Sequence, residues 1–324
     1  MSDFKLAVIG CGNWAMNHVK TAHKLFGEKL KYCSDSFDES AEKVKSVSGK
    51  IIFTTDINDI IKDGTVNAVI VSTPAETHFE ITKSLLLAGK NVLVEKPITL
   101  NSDEAKILDK TANERSLVLM VGHLLLFHPA ILKIKEFLDE GKLGKLQYIY
   151  SNRLNLGTIR NEENILWSFA PHDISVIQFF IGDVPEEVTA TGAIFVQHNI
   201  QDTTLTYLKF KDNVHAHIFV SWLHPFKEQR LVVIGDESMM VFEDTLPENK
   251  LKFYKKGFEI VNGSPVKRDS DFENIEFDKI SPLEAEQKHF IDCILNHETP
   301  RSDGKNAIEV LETLERAQTE LVKV

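Results

Sequence analysis

The chain has 324 residues, enough for two domains at roughly 100 to 200 residues each. Its composition, 43% hydrophobic and 26% charged, excludes disordered, collagen-like and low-complexity classes. With 37 Lys+Arg against 48 Asp+Glu the formal charge is −11, so neither a nucleic acid nor an anionic membrane is an expected partner.

Cys11, Cys33 and Cys293 make no CxxC pair and no even-numbered framework, which predicts free thiols in a reducing cytoplasm and no metal site. The first apolar run, Leu6–Ile9, is too short for a signal-peptide core, and no run approaches the roughly 18 residues of a membrane span. A cytoplasmic protein is expected.

Up to about residue 121, short apolar runs alternate with stretches of helical spacing. Leu6–Ile9, Leu30–Cys33, Val66–Val71, Val92–Val94 and Leu117–Val121 are predicted strands. Their unbroken Val/Ile/Leu character suits strands covered on both faces, and the intervening helices suit parallel crossovers. The prediction is an α/β Rossmann domain with a doubly wound parallel sheet over residues 1–125. Gly89 marks a helix end where a left-handed cap is usual.

Between the first strand and its helix lies Gly10-Cys-Gly12-Asn13-Trp14-Ala15, the pattern GxGxxA, with Asp35 closing the second strand. Gly10 allows the tight turn, Gly12 lets the backbone approach a pyrophosphate, and Ala15 packs helix on strand. The helix from Asn13 would present unpaired N–H groups to phosphate, and Asp35 would accept from ribose hydroxyls. A carboxylate there repels a 2′-phosphate, so NAD is expected before NADP. Two further loops follow parallel strands at the edge where such sheets bind ligands. Ser72-Thr73-Pro74-Ala75-Glu76-Thr77-His78 offers hydroxyls to the dinucleotide, or equally a helix cap. Glu95-Lys96-Pro97 places a lysine at a strand end, which solubility alone explains poorly.

From Lys145 the pattern changes to an α+β domain over residues 126–324 with a large, mostly antiparallel open sheet. Leu146–Asn152, Glu187–Val196, Thr203–Phe210, Val214–Trp222, Arg230–Ile234, Met239–Phe242 and Leu251–Tyr254 are predicted strands. His215 and His217 share one face and read as packing or interface residues. Two helices close the chain. Ser281-Pro-Leu-Glu284 predicts a capping box, and Ala307, Val310, Leu311, Leu314, Ala317 and Leu321 form one apolar stripe.

The order GxGxxA, Asp35, STPxxxH, Glu95-Lys96-Pro97, then His172 ten residues before the helix-ending Gly182, resembles the Gfo/Idh/MocA oxidoreductases over essentially the whole chain. The resemblance implies that Lys96 lies beside nicotinamide and substrate oxygen and that His172 is the general base. It groups Gly10, Gly12, Asn13, Trp14, Asp35, Ser72, Thr73, Pro74, His78, Glu95, Lys96 and Trp167 with the cofactor. Lys96, His123, Arg153, Asn155, Arg160 and Asp173 go with the substrate. The chain departs from the family pattern at Ser168 and Ser175, where many members carry acids. Asp173 is the candidate replacement, or else a first-turn acid favoured by the helix dipole. If the helix begins just after Pro171, its dipole keeps His172 neutral and able to accept a proton.

Arg153 and Arg160 suit a phosphate or carboxylate, which points to members acting on a UDP-linked N-acetylhexosamine or its uronate. Pairing of these arginines with Glu162 and Glu163 is the alternative. Free sugars or inositols are a second substrate reading, and a non-catalytic NAD-binding regulatory subunit is a third function. The sheet of the second domain is implied to form a homodimer or homotetramer interface.

Overall fold

The computed structural model describes residues 4–157, 159–160 and 163–322. The chain divides into two compact units, residues 1–127 with 280–311, and residues 128–279 with 312–324.

The first unit alternates strand and helix: β1 (Lys5–Ile9), α1 (Asn13–Phe26), β2 (Leu30–Ser34), α2 (Ser40–Val47), β3 (Ile52–Thr54), α3 (Asn58–Lys62), β4 (Val66–Val71), α4 (His78–Leu87), β5 (Asn91–Val94), α5 (Ser102–Glu114) and β6 (Leu119–Val121). The strands pair in parallel in the order β3-β2-β1-β4-β5-β6, so the order reverses between β1 and β4. Ligands bind such sheets at this switch point, outside the carboxyl ends of the strands. Leu6, Val8, Val69, Val71, Val92 and Val94 are completely buried, as expected for strands covered on both faces. β3 is absent from the sequence reading because this edge strand has only three residues: Ile52 is exposed and Phe53 and Thr54 are half-buried. Gly89, next after the C-cap Ala88 of α4, takes φ +78°, and its N–H donates to the Leu86 carbonyl, closing the helix as expected.

The second unit comprises α6 (Pro129–Asp139), β7 (Leu146–Leu154), α7 (Ile165–Ile181), β8 (Glu187–Ala193), β9 (Thr203–Lys209), β10 (His215–Ser221), β11 (Glu228–Gly235), β12 (Met239–Glu243), β13 (Leu251–Tyr254), β14 (Gly257–Val261), β15 (Ser264–Arg268) and β16 (Phe272–Asn274). Eight strands form one sheet in the order β16-β13-β12-β11-β7-β10-β9-β8, and β14 and β15 make a separate hairpin. All neighbours in the large sheet are antiparallel except β7 and β10, which run parallel at its centre. α7 covers one face, burying Ala170, Ile174 and Ile177. On β9 the alternation is clean: Thr204, Thr206 and Leu208 are buried, whereas Leu205 and Tyr207 are exposed.

The chain then returns to the first unit through α8 (Pro282–Asn296) and the first turns of α9 (Gly304–Val322). α8 packs on α1 and buries Leu283, Phe290 and Ile291. Between the helices, Ser302 and Val121 exchange hydrogen bonds, and the Arg301 guanidinium stacks on Phe127 at 5.0 Å. The expected capping box is not formed. Ser281 occupies the N-cap without a side-chain bond, and Glu284 turns instead to Lys24. Among the described residues no helix is long and apolar enough to cross a membrane.

Candidate active site

The carboxyl edge of the parallel sheet is built by three loops, after β1, β4 and β5. In the first, Gly10 adopts φ +109°, and a Cβ on it would lie 2.3 Å from the Ser72 carbonyl oxygen, so only glycine fits. Gly12 is the N-cap of α1 and supplies no side-chain cap, and no acid occupies the first turn. The α1 N–H groups and the positive end of its dipole are therefore available to an anion. A Cβ on Gly12 would meet nothing within 4 Å, which leaves room for a phosphate group against the backbone. Asn13 and Trp14 are exposed on this first turn.

Asp35 follows β2. One of its carboxylate oxygens accepts the Cys11 N–H at 2.6 Å and the other the Phe37 N–H at 3.1 Å. These bonds clamp the acid to the glycine loop, and each oxygen keeps a lone pair for a ribose hydroxyl. Glycine cradle, uncapped helix end and clamped acid together fit a dinucleotide with an unphosphorylated 2′-hydroxyl.

The loop after β4 holds Ser72, whose N–H donates to Ile9 O, then Thr73 and the exposed Pro74. Thr73 Oγ1 lies 2.7 Å from Thr77 Oγ1. His78 does not match its expected place beside a cofactor. It is 1% exposed, and its ring nitrogens lie 2.8 Å from Pro97 O and 2.9 Å from Thr73 O. Both polar atoms are thus taken by backbone, and the ring ties the second loop to the third.

In the third loop Glu95 and Lys96 follow β5, and the Lys96–Pro97 peptide is cis. Glu95 accepts from Trp14 Nε1, from His18 Nε2 at 2.8 Å and from Lys96 N at 3.1 Å. Burial opposes its charge, but the His18 and Trp14 hydrogen bonds and the Lys96 cation hold its pKa below the usual carboxylate value. Glu95 therefore joins the first turn of α1 to the loop that carries Lys96. His123, after β6, is 3% exposed, and burial followed by the field of Lys96 pushes its pKa down to about 4, so it is neutral at pH 7. Sequence reasoning missed His18, which bonds to Glu95, Glu286, whose buried carboxyl feels the Glu95 charge, and Gln287, which bonds to His18. His18 could have been found, since it stands one turn beyond Trp14 on the same helix face. Glu286 and Gln287 carry no local signal.

In the second unit, the Asn164 side chain caps α7 by accepting from Trp167 N at 3.1 Å, and the helix runs through Pro171 without ending. His172 is therefore in the third turn, not the first, and the helix-end argument for its neutrality does not apply. The strong asparagine N-cap outweighs the preference of proline for a first turn. The same start moves Asp173 away from the helix end. Trp167 Nε1 donates to Gln318 Oε1 at 3.1 Å, and Ser175 Oγ donates to His172 O at 2.8 Å.

Asp173 is 3% exposed and faces β7. Its Oδ1 accepts from Ser151 Oγ at 2.6 Å and from Arg153 Nη2 at 3.0 Å, and its Oδ2 accepts from Arg153 Nε at 2.9 Å. Burial works against the Arg153 charge, but the Asp173 carboxylate overcomes it and holds the guanidinium pKa above its usual value. Two of the three guanidinium nitrogens are thereby committed. Arg160 is exposed and pairs with Glu163 at 2.9 Å, whereas Glu162, its other expected partner, lies outside the described residues. Asn155 N donates to Ser221 O. The arginine evidence for a phosphorylated substrate is weakened accordingly. His217 stacks on Tyr150 at 5.2 Å, and His215 Nδ1 lies 2.7 Å from Tyr207 OH, so both histidines are packing partners of tyrosines.

Comparison with known proteins accords with this geometry. Residues 4–123 match the family model described as oxidoreductase family, NAD-binding Rossmann fold, and residues 131–241 match the C-terminal domain of the same GFO/IDH/MocA family. The chain is 27% identical to the scyllo-inositol 2-dehydrogenase (NAD(+)) of Bacillus subtilis, over 91% of this chain and 87% of that protein. It is 26% identical to the UDP-N-acetylglucosamine 3-dehydrogenase of Acidithiobacillus ferrooxidans, over 96% and 95%. A solved structure of the latter superposes with a TM-score of 0.86 at 25% identity, covering 99% of this chain and 98% of that one. The chain belongs to the GFO/IDH/MocA family of NAD-binding oxidoreductases and is a dehydrogenase acting on the CH–OH groups of sugar-like alcohols.

Proposed function

We propose that this enzyme oxidises a ring hydroxyl of a UDP-linked N-acetylhexosamine or its uronate with NAD. The observation that carries this reading is the end-to-end match to the UDP-N-acetylglucosamine 3-dehydrogenase in both sequence and fold. When bound, NAD supplies the hydride acceptor, and the protein supplies geometry and electrostatics. Lys96 stabilises the developing alkoxide, and His172 takes the hydroxyl proton. Asp173 is committed to Arg153 and Ser151 by three hydrogen bonds, so it is not the replacement for the acid that many members place at the position of Ser168. The free, buried thiols are consistent with a cytoplasmic protein. The exposed face of β9, with Leu205 and Tyr207, forms part of a homodimer or homotetramer contact, which light scattering of the purified protein tests.

A second reading, oxidation of free sugars or inositols, is favoured by the commitment of Arg153 to Asp173 and by the match to the scyllo-inositol enzyme. The deciding experiment is NAD and NADP reduction over UDP-N-acetylhexosamines, their uronates, free hexoses and inositols, with Lys96→Ala and His172→Ala alongside. Turnover confined to UDP-sugars with NAD and abolished in both variants is the expected result. Turnover on free polyols alone refutes the nucleotide-sugar reading, and NAD binding without any turnover leaves a regulatory NAD-binding subunit.

A further inference from the structure

Behind the Lys96 loop lies a buried polar chain that runs from α8 to the sheet edge. Gln287 Nε2 lies 3.1 Å from His18 Nδ1 and 3.2 Å from the His18 carbonyl oxygen. A carbonyl oxygen only accepts, so the amide must turn its NH2 to this side, and that group also donates to Nδ1. Nδ1 therefore carries no proton. The ring proton sits on Nε2 and is donated to Glu95 at 2.8 Å, which makes His18 neutral and leaves the negative charge on Glu95.

The groups facing Glu95 support this distribution. Trp14 and His18 come from α1, Lys96 from its own loop, His123 from the loop after β6, and Glu286 from α8. Glu286 is completely buried, and among the described residues neither of its carboxyl oxygens has a hydrogen-bond partner. Of two neighbouring buried carboxyl groups, the one with three donors ionises and the other keeps its proton. The fixed charge next to Lys96 thus belongs to Glu95 alone.

We propose that Gln287 is a positioning residue for Lys96: by locking the His18 tautomer it keeps Glu95 an anion that anchors the Lys96 loop to α1. The proposal rests on the reading of Lys96 as the cation at the reacting alcohol. With the proton on Nδ1 instead, Nε2 would turn a lone pair on the carboxylate, and Glu95 would have to take up a proton and lose its charge.

The test uses the full chain labelled with 15N in its histidine rings, together with Gln287→Met, Gln287→Glu, Glu284→Gln and Lys96→Ala. Long-range 15N–1H spectra at about pH 8, where an ordinary histidine is neutral, with the His18 signal assigned by its loss in His18→Gln, should show an Nε2–H tautomer in the wild type. Gln287→Met should shift this signal towards a mixture of tautomers. In NAD reduction with UDP-N-acetylglucosamine and scyllo-inositol, kcat should fall about tenfold to a hundredfold and its pH profile should move, with the KM for NAD within about twofold. That range is taken by analogy from the removal of partners behind metal-ligating histidines. Glu284→Gln, on the same helix but paired with Lys24 rather than facing Glu95, should change neither. Should Gln287→Met not fold, Gln287→Glu and the wild-type spectrum carry the test. An Nδ1–H tautomer in the wild type, or wild-type kcat and pH profile in the Gln287 variants while Lys96→Ala is inactive, overturns the proposal. Full activity of Lys96→Ala overturns it by a separate route, through the role assigned to Lys96.

Discussion

Replacing Asp173 by asparagine should destabilise the second unit by about 3 to 5 kcal/mol, the cost of leaving one member of a buried ion pair without its partner. The magnitude follows from the surroundings. The Arg153 side chain is 14% exposed and that of Asp173 4%, and three hydrogen bonds from Ser151 and Arg153 converge on one carboxylate. Asparagine can still accept from Ser151, but it supplies no charge to a guanidinium held out of water. Removing both charges together, in Arg153→Met with Asp173→Leu, should cost far less than the sum of the single changes, because no uncompensated ion remains. Urea denaturation followed by tryptophan fluorescence suits this test, since Trp167 and Trp222 both lie in the second unit. The midpoint should move with little change in slope. A loss below about 1 kcal/mol in Asp173→Asn, or strict additivity in the double variant, would refute the claim that this arginine is held for structure.

The two glycines of the first loop should fail in different ways. Gly10→Ala should impair folding, because its Cβ would meet the Ser72 backbone, whereas Gly12→Ala should melt like the wild type yet bind NAD more weakly, as thermal melts and fluorescence titration would reveal. Asp35→Ala should narrow the preference for NAD over NADP by about tenfold or more, the worth of roughly one hydrogen bond to ribose, read from the ratio of dissociation constants. His123 should contribute to acid sensitivity. Its folded pKa of about 4 lies below the ordinary 6.5, so the unfolded chain takes the proton first, and stability present above about pH 6.5 is lost as pH falls towards 4. The loss approaches roughly 3 kcal/mol, and His123→Gln should flatten this part of the stability–pH curve.

Local pattern made much of the molecule legible. Apolar runs separated by helical spacing specify a parallel sheet, and glycine, helix start and strand-end acid specify a dinucleotide site, because these signals act over a few residues along the chain. What the sequence could not show depends on partners distant along it. β3 is only three residues long, with Ile52 exposed, and is a strand because β2 pairs with it. β7 and β10 lie side by side in parallel although three elements separate them. The start of α7 turned on which of two competing helix signals, Asn164 or Pro171, the fold uses.

The same limit governs the site. Lys96 and His172 stand out by residue type and spacing, but the partner of a buried polar group is set by which surfaces meet in space. Arg153 reads as a phosphate binder until β7 is packed against α7, where Asp173 claims it. Glu95 reads as an acid beside a lysine until α8, whose Gln287 is 269 residues from His18, closes on α1 and decides which nitrogen of that histidine holds the proton. Sequence by itself determined the sheet architecture and the class of cofactor, since each follows from short-range geometry. Only tertiary structure decided which charges are already spent inside the protein, because desolvation obliges every buried ion to find a partner from whatever element packs against it.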